Sequence, residues 1–367
     1  MSAQTFLYVY GAVCLSMIVF NIVYGLLLRG SETRMEKRCQ HMREIVEQQL
    51  GLIRQGYTVS DRHLERLQRR LRHVNDLIAF DRVLAPLCSD TDDTAVRDYL
   101  QQIQPVILFL AVHYLRRDNV QAGYFSYFLS RYMSKSRLPV DSMQDLLLEY
   151  IHKDNLYCRV NALQAMLNGG NEEHIFAALQ IQDDGRVFVH EKVLTESLLA
   201  YTGDSEALIR QLWEHFDAFS DHTRLAILNF IRFRSGRWHT EMFGVMQDVT
   251  RDKELRLAAI RYFGRYPYEP ALAPLLTFAS DSDPTHWEYV NVAVSALAQY
   301  EGARVIDTLK AALHSENWYV RYAAASSLDA HKVNYADLMD IVMGGDRYAR
   351  EMMTYRLESR KMQEAGE

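Results

Sequence analysis

The side chains able to do acid–base, nucleophilic or metal chemistry are scattered along this chain rather than clustered. Thirteen histidines occur, but none in the HExxH spacing that sets two imidazoles on one helix face beside a general base. His215 and His222 are the closest pair, and the segment from Asp217 to Asp221 between them reads as a loop, a poor frame for a metal. Asp92-Asp93 and Asp183-Asp184 are paired carboxylates, yet both sit in turn-like stretches where Asp is favoured for capping. No serine or cysteine has the strand–turn–helix context of an activated nucleophile. A Gly-rich phosphate loop of either the GxxxxGK[ST] or the GxGxxG kind is absent from the sequence. The four cysteines, Cys14, Cys39, Cys88 and Cys158, show neither CxxC nor metal spacing, which points to a reducing compartment without a disulfide framework. No catalytic residue, cofactor, metal or small-molecule substrate is therefore expected.

The residues better suited to function are those suited to binding. Arg261, Arg265, Tyr266 and Tyr268 form one group, and Trp287, Tyr289, Trp318, Tyr319 and Tyr322 another. Aromatics and arginine carry most of the energy at protein interfaces, because they present large, rigid, amphipathic surface. Filling gaps between packed helices is the competing fate of such side chains. Arg62, Arg66, Arg69, Arg70 and Arg72 are a third group, suited to anionic lipid or an acidic partner. The alternative for them is a solvated helix face paired with Glu65, Asp76 and Asp81.

These groups must be positioned by helices, since no strand pattern is evident. The 367 residues carry a net charge of −6, which argues against nucleic acid as partner. Charge is uneven: none in residues 1–28, then 12 basic and 8 acidic side chains in 29–82, leaving a net of −10 beyond. The uncharged run 3–28 is long enough for a bilayer span. It lacks the basic start, short apolar core and small-residue cleavage site of a signal peptide, and Val13 before Cys14 spoils a lipoprotein signal. A retained transmembrane helix over 3–28 is the expectation. Arg29, Arg34, Lys37, Arg38 and Arg43 follow it, which predicts a single-pass protein of the plasma (inner) membrane with its C-terminal body cytoplasmic. Tyr8 and Tyr24 fall near its two ends. Ala12 and Ser16 make a small-xxx-small pair and Asn21 a polar group for packing against another span.

Residues 29–84 read as a basic helical linker. Leu64, Leu67, Leu71, Val74 and Ile78 trace a heptad seam of about two heptads, short for a coiled coil. Gly56 and the segment Thr58 to Asp61 divide the region into two helices, with Ser60 or Asp61 as N-cap. Residues 90–139 form an N-terminal helical cap: an acidic turn, a buried helix over 95–116, and a helix bearing Tyr124, Phe125, Tyr127, Phe128 and Tyr132 as core aromatics.

From Val140 a repeat takes over. Helix pairs read as 141–151 with 156–167, 172–179 with 186–200, 204–216 with 222–233, 241–249 with 254–263, 271–278 with 287–300 and 303–313 with 318–328. Aligned on Arg159, His190, Arg224, Arg256, Val290 and Arg321, the second helices recur every 31 to 34 residues. Gly169-Gly170, Asp183-Asp184-Gly185, Gly203-Asp204, Asp281 to Pro284 and Gly302 fall in the intervening turns. Asp283 is suited to cap the next helix, with Pro284 at its first position.

The phrases Leu255-Arg-Leu-Ala-Ala-Ile-Arg-Tyr-Phe-Gly264 and Trp318-Tyr-Val-Arg-Tyr-Ala-Ala-Ala-Ser-Ser-Leu328 resemble the second helix of HEAT repeats, of the short bacterial kind seen in phycobilin lyases. Ala273-Pro-Leu-Leu276 is similar to the first-helix phrase. The resemblance covers about 140–330 and implies an all-α, HEAT-like α-solenoid, a superhelix of antiparallel helix pairs, here preceded by the transmembrane helix and closed by helices in 331–367. It also implies that Arg159, Arg224, Arg256 and Arg321 bond turn carbonyls and a neighbouring repeat's Asp. The function expected is a membrane-anchored, non-enzymatic scaffold or regulatory subunit with a protein partner, itself a membrane protein. An accessory subunit of a polysaccharide-synthesising glycosyltransferase is one concrete form. A phycobilin-lyase-like enzyme and a peripheral sensor of anionic lipid are the alternatives.

Overall fold

The computed structural model describes residues 3–89, 93–136, 140–169, 172–185 and 188–366; within these, the side chains of 3–7, 9, 25–29, 133–136, 140–142, 361 and 363–366 are not described. Every regular element among the described residues is helical. The chain divides into two compact units, Met1–Phe188 and Val189–Glu367.

In the first unit, α1 (Ala3–Arg54) runs unbroken through the expected boundary near residue 28. Its C-terminal half buries Met42, Val46 and Leu50, spaced one helical turn apart, against α3 (Val74–Leu87) and α4 (Thr94–Gln102). Tyr8 to Tyr24 lie mostly exposed, including Ala12, Ser16 and Asn21, so none of those three packs inside this chain. No helix among the described residues is long and apolar enough to cross a membrane. That finding overturns the expected transmembrane helix over 3–28, the single-pass inner-membrane location built on it, and the membrane link to a partner.

The predicted stop after α1 is present: Gly56 adopts φ +87° and Ser60 caps α2 (Asp61–Leu71) through its hydroxyl. The heptad seam is not continuous. The helix breaks at Arg72–His73 before α3, and the buried face moves from Leu67 and Leu71 to Leu77, Phe80, Asp81 and Leu84, leaving Val74 and Ile78 half-buried. The single helix expected over 95–116 is also two, α4 and α5 (Gln104–Leu115), because Pro105 lacks an N–H and stands in the first turn of the second.

Helix α6 (Asn119–Ser136) carries the aromatic core of this unit. Phe125 stacks on Tyr114 at 4.9 Å and lies 6.0 Å from Phe128, which in turn lies 4.9 Å from Tyr132. Each such ring removed from water stabilises by roughly 2–3 kcal/mol. Tyr132 and Tyr124 also donate their hydroxyls to the buried carboxylate of Asp81, at 2.7 and 3.0 Å, and Arg131 adds a guanidinium at 3.3 Å. Tyr127 is instead exposed. Pairs α7 (Val140–Ile151) with α8 (Leu156–Leu167), then α9 (Glu172–Asp184), continue the unit. Asp183 and Asp184 extend α9 instead of forming the expected turn. Asp92, Gly170 and Arg186 lie outside the described residues.

The second unit is α10 (Glu191–Leu199), α11 (Ser205–Glu214), α12 (Asp221–Arg234), α13 (His239–Gln247), α14 (Lys253–Phe263), α15 (Glu269–Ala279), α16 (Trp287–Ala296), α17 (Ala303–Ala312), α18 (Trp318–Ala330), α19 (Met339–Val342) and α20 (Arg347–Gly366). Helix α10 packs on α12, α12 on α14, α14 on α16, α16 on α18 and α18 on α20, so the second helices make one continuous layer. Small residues permit this approach: Gly264 leaves only 3.1 Å between a hypothetical Cβ and the backbone of Ala296. Asp283 caps a single 3-10 turn, Pro284–His286, that leads into α16. Asp204 caps α11, and Gly302, at φ +128°, precedes α17.

Burial sets a pH limit on the first unit. His63 is buried against Tyr99, 3.1 Å from its hydroxyl, and desolvation, aided by the Arg66 charge, lowers its pKa to about 4. The unfolded chain takes up this proton near pH 6.5, so the contribution of neutral His63 is complete above that pH and is lost as pH falls toward 4. We expect the chain to lose up to about 3 kcal/mol over that window. Chemical denaturation of wild type and His63→Gln at several pH values checks this: the variant's stability should vary less between pH 6.5 and 4.

Candidate interaction surface

The second helices of the repeats share one feature at their fourth residue. Arg159, Arg224, Arg256 and Arg321 all stand there in α8, α12, α14 and α18. Arg159 is 2% exposed and donates to the carbonyls of Ile181 and Gln182 and to the Gln182 amide oxygen. Arg224 donates to the carbonyls of Phe216 and Asp217, Arg256 to that of Met246 and Arg321 to that of Ser315. The Ile181, Gln182 and Met246 carbonyls lie in the last turns of α9 and α13, which leave such groups without a partner in their own helix, and those of Phe216, Asp217 and Ser315 lie in the turns after α11 and α17. A neighbouring repeat's carboxylate joins only at Arg321, where Asp346 accepts at 3.0 Å; Tyr289 takes that place beside Arg256. The four arginines are thus spent on holding turns.

Two repeats lack the arginine. In α16 Val290 fills the fourth position and is buried. The alignment on His190 is one helical turn too early. His190 is the N-cap of α10, accepting from the Lys192 N–H, and the fourth residue is buried Leu194.

The predicted binding residues separate by environment. Tyr268 sits between helices, 5.1 Å from His239 and 6.0 Å from Phe243, and its N–H donates to the Tyr300 hydroxyl. Tyr289 stacks on Phe278 at 5.5 Å. Tyr266 is half-buried, 5.0 Å from Tyr262 and packed over Gly236. These three fill gaps in the fold. Arg261 and Arg265 instead border a cavity of 640 Å³ between α12, α14 and α16.

Three members of the second aromatic group stay in water. Trp318 and Tyr319 are each 58% exposed and Tyr322 49%. They form a continuous ladder: Trp287 stacks on Tyr319 at 5.6 Å, Tyr319 meets Trp318 edge-on at 5.3 Å, and Trp318 stacks on Tyr322 at 5.2 Å. Arg356 of α20 lies over the Tyr322 ring at 4.9 Å. Beside the ladder, Tyr348 and Tyr355 of α20 are 69% and 73% exposed. Two clefts border α18 and α20, one of 580 Å³ reached by Trp318, Tyr348 and Tyr355, the other of 650 Å³ reached by Tyr322, Tyr355 and Arg360. Sequence reasoning missed the contribution of α20. Its Tyr348 and Tyr355 are seven residues apart, a spacing that would have flagged one exposed stripe.

In the first unit, Arg62, Arg66, Arg69 and Arg72 are exposed and Arg70 is half-exposed. The expected pairing with Glu65, Asp76 and Asp81 does not occur: Asp76 binds Arg38 and Asp81 binds Arg131. Arg72 lies over Phe109 at 4.8 Å. Among the described residues no three metal-ligating side chains converge.

The Arg321–Asp346 pair is the most exposed to test. His314 and Arg321 together hold the Asp346 carboxyl below the usual carboxylate range, with His314 the larger influence. Both partners are largely shielded from solvent. Arg321→Met is expected to cost about 1–3 kcal/mol, since it frees the Ser315 carbonyl and leaves Asp346 one cation short. A double-mutant cycle with Asp346→Asn, read by chemical denaturation, should give a coupling near 1 kcal/mol, and zero coupling would contradict the stitching role.

Comparison with known families agrees with this geometry. Residues 246–329, from the end of α13 nearly to the end of α18, match the HEAT-repeat model. No curated protein matches the chain significantly. The matched segment carries HEAT repeats, and the all-helical pairing around it fits a HEAT-like solenoid.

Proposed function

We propose that this chain is a non-enzymatic interaction scaffold that holds a protein partner on the aromatic surface of α18 and α20. The observation that supports it most is the exposed ladder Trp287–Tyr319–Trp318–Tyr322. Large rings left in water are costly, and a connected set flanked by arginine is the composition of an interface hot spot. HEAT repeats commonly mediate protein–protein contact, and repeat stacking leaves extended surface for it. With the span withdrawn, the narrower expectation of an accessory role beside a membrane glycosyltransferase has no residue to carry it.

Trp318→Ala with Tyr322→Ala should leave the melting temperature within a few degrees, because both rings are largely solvent-exposed. The pair should abolish partner recovery when the full chain is cross-linked and isolated from its native cells, a loss of 2 kcal/mol or more being about thirtyfold. Recovery of the same partner at the wild-type level would reject this surface.

A second reading is supported by the arginines of α2. Arg62, Arg66 and Arg69 fall on one helical stripe and make no ion pair among the described residues. Such a stripe suits an anionic lipid surface. Flotation with phosphatidylserine vesicles at low salt checks this, with Arg62→Gln/Arg66→Gln/Arg69→Gln expected to lose the bound fraction.

A further inference from the structure

The cavity between α12, α14 and α16 gathers three arginines that make no hydrogen bond among the described residues. Arg232, Arg261 and Arg265 line it together with Phe233, Asn291 and Gln299, around 640 Å³. Arg261 reaches only Glu254, at 4.0 Å. Arg232 and Arg265 make no ion pair or hydrogen bond among the described residues, and the Arg232 Nε is buried without an acceptor. The two guanidiniums share one ring: Arg232 lies 4.5 Å and Arg265 5.5 Å from the centroid of Phe233. This contrasts with Arg159, Arg224, Arg256 and Arg321, whose guanidiniums all donate to backbone carbonyls.

Like charges held together in a partly dry site are unfavourable unless something answers them. Burial, with Arg261 and Arg265 close by, pushes the Arg232 pKa down. The missing partner is an anion. The walls also specify what kind. Phe233, Val292 and Ala296 give an apolar floor, while the Asn291 and Gln299 amides can bond a backbone. The volume exceeds what one small anion fills and lies in the range of sites for extended ligands. The site spans three successive second helices: Arg232 comes from α12, Arg261 and Arg265 from α14 and the turn after it, and Asn291 and Val292 from α16.

We propose that this cavity binds an acidic peptide segment of a protein partner, with carboxylates on Arg232, Arg261 and Arg265 and an apolar side chain against Phe233, Val292 and Ala296. This rests on the reading of the chain as a protein-binding scaffold, but it uses a surface apart from the α18–α20 ladder. Arginine forks suit carboxylates because the two-donor geometry matches both oxygens.

The test is fluorescence anisotropy of the full chain with a labelled octapeptide, Glu-Glu-Leu-Glu-Glu-Phe-Glu-Glu, at roughly 50 mM salt, where charge pairing is little screened. Saturable binding is expected, weakened at least about tenfold by Arg265→Gln and further by Arg261→Gln/Arg265→Gln. Both side chains reach solvent, so these variants should fold. Arg232→Leu should also weaken binding, with a melting temperature unchanged or raised, because it removes a buried, unanswered charge. Trp318→Ala/Tyr322→Ala should bind the peptide as wild type does. No binding by wild type, equal binding by Arg265→Gln, or displacement by inorganic phosphate as effective per mole as unlabelled peptide would each overturn the proposal. Partner loss in Trp318→Ala/Tyr322→Ala with peptide binding intact would support this site, and the same partner loss with no peptide binding by wild type would reject it while leaving the ladder standing.

Discussion

The repeats depend on what happens to the carbonyls at the ends of their first helices. A helix leaves its last carbonyls without partners, and a stack of short helices produces many such ends close to the core. From the fourth residue of a second helix, Arg159 and Arg256 answer such carbonyls, and Arg224 and Arg321 answer those of the turn that follows a first helix. A guanidinium suits this task because it offers several donors in one plane and stays charged when half-buried. Arg224, Arg256 and Arg321 thereby tie a second helix to the end of the first helix or turn before it, Arg159 ties α8 to the following α9, and Arg321 reaches on to Asp346 before α20. Where Val290 takes the position, Asp281 and Asp283 hold the turn instead, accepting from the Asp283 and Thr285 N–H groups and meeting the His286 ring.

Once turns are held this way, the second helices can lie side by side, and their outer faces become the surface available for binding. Whether a side chain on that face is structural or free is decided by what its neighbours offer. Tyr268 and Tyr289 sit at sequence positions as promising as those of Trp318 and Tyr322. The first two find rings and hydroxyls within the fold, and the latter two find one another, the exposed Tyr319 and Arg356. The arginines divide on the same principle. Those with a carbonyl in reach are fixed by it, and in the α12–α14–α16 cavity Arg232 and Arg265 find the Phe233 ring instead.

The N-terminal helix shows how an apolar run can be over-read. Its length in the sequence suited a bilayer span, and its flanking charges suited an orientation. In the folded chain the same residues are the first turns of a 52-residue helix whose buried part is Met42, Val46 and Leu50. The boundary expected near residue 28 does not exist, because nothing there stops a helix: neither proline nor a cap intervenes before Gly56.

Periodicity determined the helix pairs and most of their turns, since spacing of small and apolar residues is a local property that survives in any context, while the HEAT-like character rested on the resemblance of the Leu255–Gly264 and Trp318–Leu328 phrases. It also determined which arginines recur, and hence that they serve the repeat. Breaks caused by single residues were harder to read. Pro105 divides one expected helix in two, and the slip of the buried face after Arg72 ends the heptad seam. Only the tertiary structure decided which exposed-looking residues stay exposed. That depends on distant partners such as Arg356, 34 residues from Tyr322, and on Phe233 and Arg232, which reach the same cavity as Arg265 only after α12 packs on α14.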